Sequence, residues 1–323
     1  MPISLFENRW NRTLLQERFV KNIKHHFKQE GEAWLERLPE ISHQCEQTWQ
    51  VEMMKPYELS INYVAPAVGK DGRKLVVKLS VPGEEFTCEL EALRQLESPA
   101  MVRLIAFDEN LGALLLERME PGGTLAEVEE EDKACRIAAD VFEQLTREPL
   151  GETTLPTTED RTASLAKIVS YYPAGCGPIS RSTLLEAQQT FNRLHRTRKK
   201  QWLLHGDFHH YNILQDGEEK WKAIDPKGLI GEREYDLIQF LLNKLPEEDP
   251  VSVIDKRIQI FSEFLKLDKQ RFVLWGFCHS VLATCWTVEG NGNYNRPFYR
   301  AIAAFQQIHQ KYYHHEVHEA EIR

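Results

Sequence analysis

The sequence predicts an α+β protein of two lobes, a small antiparallel β lobe followed by a larger, mostly helical one. Three observations lead there. The chain has 323 residues, more than one compact core ordinarily organises. Its hydrophobic period changes near residue 57 from three- and four-residue steps to short apolar runs, and changes back after residue 118. Finally, "MEPGGTL" at 119 to 125 sets Pro121, Gly122 and Gly123 together, a break suited to a hinge. The expected division is residues 1–118, a helical leader plus sheet, and residues 119–323, the helical lobe.

Residues 3 to 53 read as helical, because Phe6, Trp10, Leu14 and Leu15, then Phe19, Ile23 and Phe27, recur at helical steps. Pro39 and Pro56 punctuate this region. The runs "LSINYVAPAV", "RKLVVKLSV", "MVRLIAFDE" and "ALLLERM" read as strands, and "KDG" at 70 to 72 as a hairpin turn with Gly72 at positive φ. Between the second and third runs, "EEFTCELEALRQLES" places Phe86, Leu90, Leu93 and Leu96 on one helical face. Beyond the linker, residues 124 to 146 and 182 to 196 are amphipathic helices, the second capped by Ser182 or Thr183. An island of strand follows: "WLLHGD", then "NILQ" and "WKAID" around the turn "DGEEK". From Glu234 the pattern is helical to the end. The acidic run Glu127 to Asp132 and the basic run Arg196 to Lys200 read as solvated helix faces. Chemistry placed on the inserted hairpin would face the cleft between lobes, where ligand sites prefer to lie.

Composition narrows the partners. A formal net charge of -9 repels a phosphate backbone, so nucleic acid is not expected. The first residues carry Glu7, Arg9 and Arg12 without an apolar core, unlike a signal peptide. No apolar run approaches the roughly 18 residues of a membrane span. The six Cys are scattered with no C-x-x-C pair, which suits free, mostly buried thiols in a reducing cytoplasm.

The densest polar motif is "HGDFHHYNIL", 205 to 214. As a zinc site, it offers His205, Asp207 and His209 on one face of an extended chain, with His210 beside them. No second His or Cys cluster at ligand spacing supports that reading. As a phosphoryl-transfer loop, it offers Asp207 and Asn212 five residues apart, the separation in H-R-D-x-x-x-x-N. There the loop turns back so that a base and a metal ligand flank the moving phosphoryl. A second metal carboxylate should follow across a hairpin, and Asp225 ends "WKAID" 18 residues on (225 minus 207). The chemistry also asks for a lysine on a strand of the first lobe with a carboxylate on the helix behind it. Lys78 in "LVVKL" is such a lysine, costly to bury without purpose. Glu89 lies beside the apolar face of the next helix, whereas Glu91 points more outward.

With these elements in order, the sequence resembles the aminoglycoside phosphotransferase branch of the protein-kinase-like fold. More narrowly, it is similar to the streptomycin 6-kinase group, the aminoglycoside/hydroxyurea resistance kinases. The resemblance is carried by "NYVAPA", "LVVKL", "LLLERMEPGGTL", "HGDFHHYNIL" and "IDPKGLIGEREYDL", and spans about residues 57 to 290. It implies an ATP- and Mg2+-dependent kinase for a small-molecule hydroxyl, with a streptomycin-type aminoglycoside as the acceptor. By position it implies Asp207 as catalytic base, Asn212 and Asp225 as magnesium ligands, and Lys78 on the α/β-phosphates, positioned by Glu89. It further implies that the backbone of Glu117, Arg118 and Met119 takes the adenine edge, and that Asp236 braces the catalytic loop. The pattern departs from protein kinases in two places. "NYVAPAVG" stands where G-x-G-x-x-G would cover the phosphates, and "DPKG" replaces D-F-G, so the movable Phe is absent. A polycationic acceptor calls for carboxylates and aromatics. Trp286, Glu289 and Tyr294 in "CWTVEGNGNYN" offer them, although Glu289 equally suits a solvated loop. His209 and His210 either shape the acceptor end or bond to backbone. His195 reads as a core histidine. Another alcohol or amino sugar as acceptor, or a nucleotide-binding module without catalysis, are the alternatives.

Overall fold

The computed structural model describes residues 15–290 and 292–313. The expectations for Phe6, Trp10 and Leu14 lie outside the described residues. The chain forms two compact units, one of residues up to Glu97 with Val102–Gly122, the other of Ser98–Met101 with the residues from Gly123 on.

The first unit opens with helix α1 (Glu17–Trp49), two helical stretches that meet at Lys28, whose φ is 51°. Pro39, expected as punctuation, sits inside the second stretch. A proline there costs about 3 kcal/mol. The same stretch buries Trp34, Leu35, Leu38 and Ile41, each stabilising by roughly 1.5–3 kcal/mol, so packing wins. The helix ends at Gln50 with a left-handed φ of 54°. Residues beyond it form strand β1 (Val51–Met53), not more helix. Strands β2 (Tyr63–Gly69) and β3 (Lys74–Leu79), helix α2 (Glu84–Gln95) and strands β4 (Leu104–Asp108) and β5 (Ala113–Glu117) follow. The strands make one antiparallel sheet in the order β1-β2-β3-β5-β4. The β2–β3 turn is the expected one, with Gly72 at φ 80°. Period-two alternation sends Leu75, Val77 and Leu79 into a core with Phe19, Ile23, Trp34 and Leu38 of α1. Lys78 therefore points to the opposite face of the sheet.

At the junction, Pro121–Thr124 is a short strand, β6, where the Pro and two Gly predict only a break. Its proline stands first, where the missing N–H costs least. The second unit continues with α3 (Glu131–Leu145), α4 (Thr158–Tyr171), a two-residue hairpin of β7 (Gly175–Cys176) and β8 (Ile179–Ser180), and α5 (Arg181–Arg196). Ser180 caps α5 through Thr183 N, earlier than the expected Ser182 or Thr183. Strands β9 (Trp202–Leu204), β10 (Ile213–Asp216), β11 (Trp221–Ala223) and β12 (Leu229–Gly231) precede helices α6 (Arg233–Asp236), α7 (Ile238–Leu242), α8 (Pro250–Leu265), α9 (Lys269–Trp286) and α10 (Arg296–Tyr313).

The charge runs are more than solvated faces. In the acidic one, Glu131 pairs at 2.5 Å with Arg257, which is fully buried. That guanidinium also donates to the carbonyls of Phe240, Leu241 and Asn243, closing the end of α7. In the basic run, Arg198 pairs with Glu159, and Lys200 pairs with Glu148 while lying 3.8 Å over the Trp202 ring. All six cysteines are free and buried. Among the described residues, no helix is long and apolar enough to cross a membrane.

Candidate active site

Local bonding around β9 and β12 builds the loop that carries Asp207. The two strands pair antiparallel with Leu204 opposite Leu229. Just beyond, the His205 carbonyl accepts the N–H groups of Lys227 and Gly228 at 2.8 and 3.0 Å. That close approach requires glycine at 206. Its φ is 82°, and a Cβ would stand 3.2 Å from Lys227 Cβ and 3.3 Å from Gly228 N. The Asp236 carboxylate accepts His205 N–H on Oδ2 at 2.8 Å and Gly206 N–H on Oδ1 at 2.7 Å, so it braces the loop from below. Burial pushes its pKa up to about 7 against the pull of those two donors. His205 donates Nε2–H to the Ile224 carbonyl at 2.8 Å and accepts Asp207 N–H on Nδ1 at 3.2 Å. Burial holds its pKa down to about 4, so the ring is neutral at pH 7.

The rest of the loop alternates inward and outward. Phe208 is buried against Phe142. His210 is 1% exposed and stacks 3.8 Å from Phe240. Burial, then the cationic Arg257 and Lys244, drive its pKa down to about 2. The structure thus does not bring His210 to an acceptor: it is part of the core. With His205 and His210 both turned inward, the loop's imidazoles do not converge as zinc ligands must. Among the described residues no three His, Cys, Asp or Glu side chains gather around a metal position.

Asp207, His209 and Asn212 stay at the surface of the loop and come together. A short 3-10 turn over His210–Asn212 folds the chain back, and Asn212 Nδ2 donates to the Asp207 carbonyl at 3.0 Å. The same nitrogen lies 3.4 Å from Asp207 Oδ2, and His209 Nε2 lies 3.6 Å from Oδ1. Burial lowers the His209 pKa against the attraction of Asp207. The β10–β11 hairpin pairs Ile213 with Ala223, and the Asn212 carbonyl accepts Ile224 N–H at 2.9 Å. Asp225 is therefore the residue next to the one bonded to Asn212. Its φ is 56°, left-handed in a non-glycine residue directly before Pro226. Asn212 turns its amide hydrogens to Asp207, so its amide oxygen points away from that carboxylate. An amide oxygen and a carboxylate are the hard oxygen donors that Mg2+ takes.

In the first unit, Lys78 Nζ donates to Glu89 Oε1 at 2.5 Å, and the two are 2% and 5% exposed. Glu91 instead accepts from Gln95 at 2.8 Å. The Glu117 N–H donates to the Arg103 carbonyl at 3.0 Å and its Oε1 accepts Arg103 N–H at 2.7 Å.

Trp286 ends α9 with 46% of its surface exposed. Its Nε1–H donates to Ser164 at 3.1 Å, and the Arg161 guanidinium lies 5.4 Å over the ring. The cation that the ring attracts is thus supplied by the protein. Arg161 and Ser164 belong to α4, a helix the periodicity did not reveal. Glu289 is exposed in a tight turn closed by Gly292 N–H to the Glu289 carbonyl at 2.9 Å. His195 is the expected core residue, stacked on Phe191 and bonded to Thr162 at 2.7 Å.

The chain is similar to several known proteins. The family model for aminoglycoside/hydroxyurea antibiotic resistance kinases matches residues 50–290. A streptomycin 6-kinase of Streptomyces griseus is 30% identical over 81% of this chain and 86% of its own length. A hydroxyurea phosphotransferase of Kitasatospora aureofaciens is 28% identical over 80% of this chain and 76% of its own. Among solved structures, a choline/ethanolamine kinase family protein from Mesorhizobium loti superposes with a TM-score of 0.62 at 12% identity, covering 84% of this chain and 95% of that one. A thermostable mutant of aminoglycoside phosphotransferase APH(4)-Ia, in ternary complex with ADP and hygromycin B, gives 0.58 at 15% identity, covering 84% and 98%. The fold is thus the protein-kinase-like α+β fold that the strand and helix order predicts. The match over residues 50–290 and the 30% identity over most of the chain make this protein a member of the aminoglycoside/hydroxyurea antibiotic resistance kinase family, a small-molecule phosphotransferase.

Proposed function

We propose that this protein transfers the γ-phosphoryl group of ATP, with Mg2+, to a hydroxyl of a streptomycin-type aminoglycoside. The observation that carries the reading is the turn that brings Asp207 and Asn212 together, with Asp225 one residue beyond the hairpin bond. Support for the acceptor is the 30% identity to a streptomycin 6-kinase.

In this reading Asp207 orients the acceptor hydroxyl and receives its proton. Lys78, held by Glu89, takes the α- and β-phosphates, and the backbone of Glu117, Arg118 and Met119 meets the adenine edge. Asn212 and Asp225 hold Mg2+, which when bound neutralises charge on the phosphates. Little covalent work falls to the protein, so catalysis rests on position and charge. His205 and Asp236 serve that end by fixing the loop backbone. The buried Asp236 brace means the loop need not be ordered by any modification.

The test is mass spectrometry of candidate acceptors after incubation with the protein, ATP and magnesium. Streptomycin should gain one phosphoryl group, and Asp207→Ala should lower the rate at least about 100-fold. A second reading is favoured by the hydroxyurea phosphotransferase relative, and by Arg161 already occupying the face of Trp286. It makes the acceptor a smaller, less cationic hydroxyl compound. Phosphorylation of hydroxyurea or a neutral amino-sugar analogue, with none of streptomycin, would select it.

A further inference from the structure

Two side-chain donors approach the Asp207 carboxylate, and the D-x-x-x-x-N spacing accounts for only one of them. Asn212 is the first. The second is His209, whose ring lies across the same turn. Its Nδ1 is 3.2 Å from Tyr211 N. A backbone N–H can only donate, so Nδ1 presents its lone pair there, and the neutral ring carries its hydrogen on Nε2. That nitrogen lies 3.6 Å from Asp207 Oδ1 and 3.3 Å from Asn212 Nδ2. With Nδ1 accepting from Tyr211, Nε2 bears the ring hydrogen and cannot also accept from Asn212, so the nitrogen–nitrogen contact is two donors side by side, and the two amide hydrogens of Nδ2 turn to the Asp207 carbonyl at 3.0 Å and to its carboxylate. Both donors face one acceptor group: Nε2 meets Oδ1, and Nδ2 meets Oδ2 at 3.4 Å.

We propose that His209 is a positioning residue whose Nε2–H, paired with the Asn212 amide, holds the Asp207 carboxylate in the orientation that receives the acceptor proton. This rests on the reading of Asp207 as the base. The same bonding removes His209 as a rival base, because Nε2 carries a hydrogen and the Nδ1 lone pair is engaged by Tyr211. It also removes His209 from direct substrate recognition, since its polar edge is turned to Asp207. Contacts of 3.4 and 3.6 Å are longer than a formed hydrogen bond, and such catalytic contacts tighten when the acceptor docks. With one donor removed the carboxylate swings, and misplacement by about 1 Å costs on the order of 100-fold in rate.

The test compares His209→Ala, His209→Gln and Asp207→Ala, each checked for an unchanged thermal midpoint. Glutamine sets an amide N–H where Nε2–H stands and cannot carry a transferable proton. His209→Ala should lose roughly 30- to 100-fold in kcat with the acceptor KM unchanged, and His209→Gln should recover most of it. Nitrogen NMR of histidine-labelled protein should show His209 with a bare Nδ1 and a protonated Nε2. The proposal is overturned if glutamine is as poor as alanine, if alanine raises KM at normal kcat, or if Nδ1 bears the proton. Failure of the parent reading shows separately: Asp207→Ala would retain transfer whatever His209 does.

Discussion

Asp225, the proposed magnesium ligand, sits in an uncomfortable backbone conformation. A left-handed φ of 56° before proline costs a non-glycine residue of order 1–3 kcal/mol. Glycine at this position relieves that strain but adds freedom to the unfolded chain, worth about 0.5–1 kcal/mol the other way. Strain relief is the larger effect, so Asp225→Gly should leave stability unchanged or raise it by up to about 2.5 kcal/mol in urea unfolding while abolishing the carboxylate that would meet magnesium. We expect phosphoryl transfer to fall at least about 100-fold, and a steep loss of stability instead would sink the strain account. Gly206 is the complementary case, where the residue type was readable but its reason was not. Only the approach of Lys227 and Gly228 explains why the position admits no side chain.

Among the elements, α9 is the one whose sequence is least informative and whose packing is most demanding. It is buried nearly all round, from Phe272 to Cys285, so it carries no amphipathic stripe. Its contact with α10 depends on Gly276, where a Cβ would lie 2.2 Å from the Phe305 ring, itself fully buried. Alanine in a helix interior gains about 1 kcal/mol over glycine, whereas overpacking a core costs about 1–3 kcal/mol. Gly276→Ala should thus destabilise by up to about 2 kcal/mol in urea unfolding, and Phe305→Leu in the same chain should restore part of the loss. Helix α4 was missed for a different reason. Its face is weakly apolar, with Leu165 and Thr158 its buried residues. The Thr157 and Asp160 capping box that starts it was nevertheless legible in the sequence. Caps would have placed α4 and α5 better than periodicity did.

At the scale of the molecule, buried titratable groups of the second unit set a pH dependence of stability. Burial lowers the pKa of His195, His205, His209, His210 and His279 from 6.5, to about 4 for His205 and His279. Below about pH 6.5 the unfolded chain protonates these rings more readily than the folded protein does, so they make stability rise with pH. Glu234 and Asp236 are raised by burial, the latter to about 7, and oppose this because the folded protein keeps protons the unfolded chain has released. Five lowered imidazoles outnumber two raised carboxyls, so the balance over this interval is a stability that rises with pH. Urea midpoints should climb from pH 5 to 6.5 and level off above 7. A midpoint that falls over that interval would show that the carboxyls dominate.

What the sequence determined by itself is the part of the protein written in local spacing. The strand runs, the hairpin at Gly72, the pairing of Lys78 with Glu89 rather than Glu91, and the turn from Asp207 to Asn212 all depend on residues near in the chain or on a single helical face. What only the tertiary structure decided is which way each polar side chain turns. His210 and His209 are adjacent and identical in type, yet one stacks on Phe240 in the core and the other faces Asp207. Trp286 looked open to a cationic substrate until α4 placed Arg161 over it. The Glu117 N–H is taken by the carbonyl of Arg103, the residue just before β4. In each case the deciding partner is distant in sequence or lies just before the neighbouring strand, and neither spacing nor composition encodes its approach.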